Sequence, residues 1–291
     1  MPALITLRRK IRSVRSTRRI TNAMKIIAAT RVRRAQEALW QLRPYAWRMQ
    51  DVLRSLASRV RPELHPLLRW PEAEHRVDLL VVTADRGLCG AFNHNIVREA
   101  LRFLHGFPPD TELRLWCIGR KGHDFFRKRR WPIAYAYRDI FRRVDYTVAQ
   151  TIARQLIEEF VTERIQAAYV VYNEYKSALV QRVVVERLLP LQRIEFSPVE
   201  PPVEYIYEPE PERIFEALLP KHVVIQVYRI LLESQAAEQS ARMVAMDMAT
   251  KNADKVIYKL TLLLNKTRQA SITKEILEII SGAEALRKAR A

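Results

Sequence analysis

KHVVIQVYRILLESQAAEQSARMVAMDMATKNADKVIYKLTLLLNKTRQASITKEILEIIS, residues 221–281, contains neither proline nor glycine. A helix across it is roughly 90 Å long at 1.5 Å per residue, far beyond the usual globular helix. Its apolar positions form a heptad seam: Leu218, Ile225, Tyr228 and Leu232, then Met246, Ala249, Ala253, Val256, Leu260 and Leu263. Between the two runs lies a polar interval of Gln235, Gln239 and Arg242. Gly282 follows as the expected C-cap. A helix of this length needs a partner along its seam.

The other end of the chain supplies one. From Ala3 to Arg61 there is no glycine, and Pro44 is the only proline. Leu4, Leu7, Ile11 and Val14, then Ala28, Val32, Ala35, Leu39, Leu42, Ala46, Met49, Leu53, Leu56 and Val60, recur at the same spacing. The seam fails in the middle, where Arg18, Thr21 and Lys25 occupy its positions. There Ile20, Met24 and Ile27 carry the apolar character on a rotated face, which predicts contact with something other than the partner helix. Two long helices at opposite ends of a chain predict an antiparallel two-stranded coiled coil.

Between them the period changes from 3.6 to 2. VDLLVVT (77–83), LRLWCIG (113–119), IAYAY (133–137) and AAYVVY (167–172) read as buried strands, and VQRVVVE (180–186) as a further one. Helical stretches near 93–105, 121–130 and 147–164 alternate with them. This order predicts a small, largely parallel, Rossmann-like sheet with helices on its faces. A proline- and acid-rich run, PVEPPVEYIYEPEP (198–211), returns the chain to the second long helix. The expected organisation is mixed α+β and α/β: helix 1–61, α/β domain 76–195, connector 196–211 and helix 212–287.

Composition supports long elements, since only 6 of 291 residues are glycine. The net charge is +18, and residues 1–61 hold 16 Lys and Arg against two acids, Glu37 and Asp51. So localised an excess predicts an acidic counterpart. Nucleic acid is one such partner, through RRKIRSVRSTRRI (8–20). Those arginines interrupt a heptad instead of lining a recognition helix, and no nucleic-acid-binding signature accompanies them. An acidic protein surface is the better match, leaving a basic coiled-coil scaffold or nucleic-acid binder as the alternative. No run approaches the ~20 apolar residues of a membrane span, and the charged start excludes a signal peptide.

Catalytic patterns are missing. The turn after the first strand, DRGLCGAFN (85–93), sits where α/β folds place ligands but lacks both GxxxxGK[ST] and GxGxxG. Gly87 and Gly90 suit a tight strand-to-helix turn. The six histidines have no metal-ligand spacing. Cys89 and Cys117 read as buried thiols. Glu275 and Glu278 share a helix face without a nucleophile or base. A small α/β enzyme is therefore the weaker reading, and no cofactor is expected.

Four segments together resemble the gamma subunits of F-type ATP synthases: ITNAMKIIAAT (20–30), DRGLCGAFN (85–93), EQSARMVAMDMAT (238–250) and LNKTRQASITKEILEIISG (264–282). Their order and spacing fit that family along essentially the whole chain. The resemblance implies a noncatalytic rotor whose paired helices penetrate an alpha–beta hexamer, with its far end on the membrane c ring and the epsilon subunit. Contact with the membrane then comes only through the complex, and nucleic acid is not a partner.

Carried over position by position, the resemblance sets Met24, Lys25, Arg242, Arg268, Gln269, Thr273, Glu275 and Glu278 toward the hexamer. Arg268 and Gln269 would bond a beta-subunit catch loop. Met24, Lys25 and Arg242 would lie near an acidic beta lever. Leu277, Ile280 and Leu286 would form an apolar tip in a sleeve, followed by the basic tail 287–291. Tyr205, Tyr207 and Glu208 would be the foot on the c ring and epsilon. The absence of a transit peptide points to a bacterial enzyme on the cytoplasmic side of the plasma membrane, and without a cysteine-bearing insertion of the chloroplast kind no thiol switching is expected.

Overall fold

The structure is a computed structural model that describes residues 2–57, 60, 65–142, 144–177, 180–192, 205 and 207–289, with side chains at all of these except 2, 3 and 284–289. Its elements run α1 (Pro2–Ala57), β1 (Arg76–Val82), α2 (Phe92–Leu104), β2 (Glu112–Ile118), α3 (Arg120–Lys128), β3 (Ile133–Tyr137), α4 (Tyr146–Val161), β4 (Ala167–Tyr175), β5 (Gln181–Leu189) and α5 (Pro211–Ala289). Two compact units emerge, Met1–Ile27 with Met243–Ala291, and Ala28–Arg242. Both α1 and α5 contribute to each. Most of the connector expected at 196–211, namely 196–204 and 206, lies outside the described residues.

In the larger unit the five strands form one sheet in the order β3-β2-β1-β4-β5. The first four strands in sequence are mutually parallel, and β5 pairs antiparallel with β4. Alternation along the strands divides the core in two. Leu80, Val82, Trp116, Ile118, Val170 and Tyr172 share a cluster with Ile152, Ala153 and Leu156 of α4, Leu53 and Leu56 of α1, and Leu219 to Leu231 of α5. Leu79, Val81, Leu115, Cys117 and Val171 face the other way, onto Ile96 and Ala100 of α2 and Phe126 of α3. The sheet is covered on both faces, and the apolar strand runs require that.

One charged network is built into the first face. Asp78, fully buried on β1, accepts a two-pronged pair from Arg114, at 2.9 and 3.0 Å, and the Trp116 indole N–H at 2.6 Å. Arg114 reaches on to Glu159 of α4 at 2.7 Å. Burial still raises the Asp78 carboxyl above its ordinary value despite these donors.

Along α1 the apolar positions expected on its seam are covered to different degrees. Leu4, Ile11, Ala28, Val32, Ala35, Met49, Leu53 and Leu56 are buried, and Leu7, Val14, Leu39, Leu42 and Ala46 partly so. Two expectations for α5 are corrected. Gly282 does not cap the helix, which continues to Ala289. One glycine costs about 1 kcal/mol against alanine, and the Ala-, Glu-, Leu-, Arg- and Lys-rich run after it favours helix enough to carry through. Val256 and Leu263, expected on the seam, are exposed, at 43% and 49%.

Candidate functional site

The helical unit contains an unexpected set of polar contacts. At the three seam positions where α1 loses its apolar residues, α5 answers with polar ones. Arg18 Nε lies 2.5 Å from Asp254 Oδ1, Thr21 Oγ1 lies 2.7 Å from Thr250 Oγ1, and Lys25 Nζ donates to Asp247 Oδ1 at 2.6 Å. Numbers rise along α1 as they fall along α5, so the two segments run antiparallel. Asp247 also holds Lys251 through its second oxygen at 2.7 Å. The hydrogen bonds from Lys25 and then Lys251 bring its carboxyl down to about 2. Around these rungs Ile20 and Ile27 are turned to solvent, as the rotated face predicts, and Met24 is half-buried.

Arg242 has a different environment. It is buried, pairs with Glu238 one turn back at 2.7 Å, and donates to the Gly87 carbonyl at 3.2 Å. Its guanidinium thus serves the 85–93 turn. That turn is fixed by its own side chains. Asp85 accepts the backbone N–H groups of Arg120, Asp139 and Phe141 at 3.0, 2.8 and 3.1 Å. Asn93 accepts from Ala84 N at 2.9 Å and donates to Cys89 Sγ. Leu88, at φ 64°, projects from the turn and is 64% exposed. Burial raises the Cys89 thiol and pushes Cys117 up to about 12, far from a reactive thiolate.

The C-terminal part of α5 is bare. Arg268, Gln269, Thr273, Glu275, Leu277, Glu278 and Ile280 are all exposed. Thr273 Oγ1 back-bonds to Gln269 O at 3.0 Å, and Glu278 pairs with Lys274 at 3.6 Å. Ile272, Ile276 and Ile279 join Leu277 and Ile280 as exposed apolar residues. Leu286 falls where side chains are not described. Tyr207 is half-buried and donates to Ser55 Oγ at 2.8 Å; Tyr205 lies 6.2 Å from its ring and Glu208 is exposed. Among the described residues no helix is long and apolar enough to cross a membrane.

Asp247, Asp254, Thr250 and Leu88 were not singled out from sequence. For the aspartates the signal is present: Arg18 and Lys25 are spaced by a heptad, and so are Asp247 and Asp254. Leu88 leaves no signal, because its left-handed φ is invisible to composition.

A family model described as ATP synthase matches residues 3–286. The ATP synthase gamma chain of Chlorobaculum parvum is 42% identical over 292 residues, 99% of this chain and 100% of its own. That of an Anaeromyxobacter species is 44% identical over 291 residues, with the same coverage. Among solved structures, a chain in the central stalk and c-ring of the Tetrahymena thermophila mitochondrial ATP synthase aligns with TM-score 0.60 and 25% identity, over 79% of this chain and 99% of that one. A chain of the Euglena gracilis mitochondrial enzyme shares the fold, with TM-score 0.70 and 20% identity over 100% of this chain and 96% of that one. A match from end to end, on relatives of the same length, means that the chain belongs to the ATP synthase gamma-chain family.

Proposed function

We propose that this chain is the central rotor shaft of a proton-translocating ATP synthase. It couples rotation of a membrane c ring to the catalytic sites of an alpha–beta hexamer and performs no catalysis itself. The observation that carries the reading is the C-terminal part of α5, whose Ile272, Ile276, Leu277, Ile279 and Ile280 are exposed on this chain. A run of exposed isoleucines marks a surface covered in an assembly. A rotating tip suits an apolar sleeve, because dispersion contacts favour no single angle as directional hydrogen bonds do.

On this reading α1 and α5 pair as an antiparallel coiled coil, and the α/β domain, Rossmann-like in character, is the enlarged lower part of the shaft. Domain limits of 1–61, 76–195, 196–211 and 212–287 fit that division. Met24, Lys25, Arg268, Gln269, Thr273, Glu275 and Glu278 meet the hexamer, and Leu277, Ile280 and Leu286 turn in its sleeve. Lys25 keeps two further N–H donors beyond its bond to Asp247, so it has capacity for a partner's carboxylate. Arg242, buried against Glu238, is better read as holding the 85–93 turn. Tyr205, Tyr207 and Glu208 form the foot on the c ring and epsilon subunit. The chain then works on the cytoplasmic side of a bacterial plasma membrane, attached only through its partners.

The mechanism is differential contact. A shaft shifts the three catalytic sites only by touching their states unequally. The exposed isoleucines and arginines of the helical unit differ from face to face and meet that requirement. Co-expression with alpha and beta subunits, followed by sizing and an ATP hydrolysis assay, tests the proposal. One copy per three alpha–beta pairs, with faster hydrolysis than alpha–beta alone, is the expected result. An unassembled chain and unchanged hydrolysis would overturn it.

A further inference from the structure

We propose that Arg18, Thr21 and Lys25 of α1, with Asp254, Thr250 and Asp247 of α5, form a register key that holds the two helices at one longitudinal setting, with Asp247 as its central positioning residue.

The argument starts from what the rungs contribute. Both members of the Arg18–Asp254 pair are about half exposed, at 50% and 51%, and Lys25 in the second pair is 41% exposed. Pairs this wet contribute little as glue. An apolar residue at each of these seam positions would hold the helices more tightly. Polar residues inside a heptad seam have a better attested effect, which is to penalise wrong registers.

The sequence on either side shows how. On the side of the key toward Leu4, Leu7, Ile11 and Val14 of α1, the seam is an apolar repeat that fits itself again after a slip of one heptad, whereas on the other side Gln235, Gln239 and Arg242 interrupt it on α5. The polar residues of the key do not fit again after such a slip. A slip of α5 by seven residues in one direction sets Lys25 against Asp254, but Arg18 against Thr261 and Thr21 against Ile257, and Asp247 loses Lys25. A slip the other way sets Arg18 against Asp247, but Thr21 against Met243 and Asp254 against Ile11, a buried position. Either slip breaks all three observed rungs and makes a single ion pair in their place. Only the observed register satisfies all three.

Asp247 is central because its two oxygens are divided between the helices. Oδ1 takes Lys25 across the pair, and Oδ2 takes Lys251 one turn along α5. The second bond holds the carboxylate in the rotamer that the first requires. Register matters to a shaft because it decides which turn of α5 stands beside the exposed Ile20–Ile27 face. That consequence rests on the rotor reading; the key itself does not.

Disulfide trapping in the full-length chain tests it. Thr21→Cys with Thr250→Cys reports the observed register, and Thr21→Cys with Ile257→Cys or Met243→Cys reports the two slips. Without further change, the first pair should oxidise and the others should not. Asp247→Lys or Lys25→Glu should lower the first yield several-fold and raise a slip yield. The double exchange Lys25→Glu/Asp247→Lys should restore the first. Retention of the observed register in both single variants, or failure of the double exchange to restore it, would overturn the proposal. If a single variant loses helicity by circular dichroism, recovery of both helicity and first-pair yield in the double exchange supports the key, and loss in the double as well overturns it. The functional arm uses the alpha–beta–gamma complex. If the unaltered chain does not assemble, the rotor reading fails. If it assembles, and the trapped slip registers support hydrolysis as fast as the observed one does, the consequence drawn for the shaft fails.

Discussion

The two ends of α5 are equally rich in Ile, Leu and Val, yet they have opposite surroundings. From Val223 to Ser240 no residue is exposed and most are buried, including Ile230, Leu231, Ala236 and even Ser240. From Val256 to Ile280 the apolar residues Val256, Leu262, Leu263, Ile272, Ile276, Leu277, Ile279 and Ile280 stand exposed. The first stretch is covered by the chain's own sheet and helices. The second carries the same kind of surface, with nothing among the described residues to cover it. Apolar periodicity records that a face will be buried, not which molecule will bury it.

The largest expected effect comes where the buried stretch ends. Arg242→Met leaves Glu238 buried beside the 85–93 turn without its cation, and should destabilise the isolated chain by about 3–5 kcal/mol. Burial already raises the Glu238 carboxyl, so acidification should return part of that loss as it protonates. A urea melt of the variant at two pH values reads both effects. An unchanged melt would mean that the turn and α5 are held together by other contacts.

Next in size is a direct contrast of the two stretches. Leu231 is fully buried, so Leu231→Ala should cost about 2–5 kcal/mol. Ile279 is 71% exposed, so Ile279→Ala should shift the isolated chain by less than about 0.5 kcal/mol. In the assembled complex the order of sensitivity should narrow, because Ile279 then has a surface to lose. Equal melting of the two isolated variants would collapse the distinction.

The same contrast explains what was legible in sequence. VDLLVVT and LRLWCIG sit where their apolar runs put them, with boundaries moved by one residue, because a strand covered on both faces has few alternatives. The α1 seam is likewise readable, because its partner is in the same chain. Val256 and Leu263 fall on the α5 seam by spacing yet are exposed, since a helix that meets a second molecule shows the same spacing. Motif likeness sets Arg242 toward the hexamer; its bond to the Gly87 carbonyl depends on a turn that no heptad count describes. Asp247 and Asp254 were passed over, although their seven-residue spacing matches that of Arg18 and Lys25. Apolar periodicity carries no trace of these rungs, because they are polar.

Acid should separate the two units. His222, on the buried stretch, is lowered to about 4 by desolvation and by the nearby Arg229. Its folded value lies below the ordinary value of about 6.5, so the unfolded chain takes up the proton first. The stability it contributes is fully present above pH 6.5 and is lost progressively as pH falls toward 4. Asp247, brought down to about 2, contributes above the ordinary carboxylate value of about 3.9 and loses its effect only as pH falls through 2. Between pH 6.5 and 4 the larger unit should loosen while the Lys25–Asp247 rung persists. Hydrogen exchange at pH 5 should therefore accelerate around 219–226 before it does around 247–254. His222→Gln should flatten that dependence, and the reverse order of exchange would refute it.

The smallest effect lies on the exposed stretch. Gly282 sits inside α5, and a Cβ built on it meets nothing within 4 Å. Gly282→Ala therefore adds no clash, and removes the backbone freedom that glycine restores to the unfolded chain. Local helix stability should rise by about 0.5–1 kcal/mol. Global melting of the isolated chain should hardly move, because the covered core at 223–240 sets it and this end does not. Slower amide exchange at 279–285 with an unchanged melt is the expected pair of results. A higher melting temperature would show that the bare end and the buried core unfold together, and the contrast between the two stretches of α5 would then be one of surface only, not of stability.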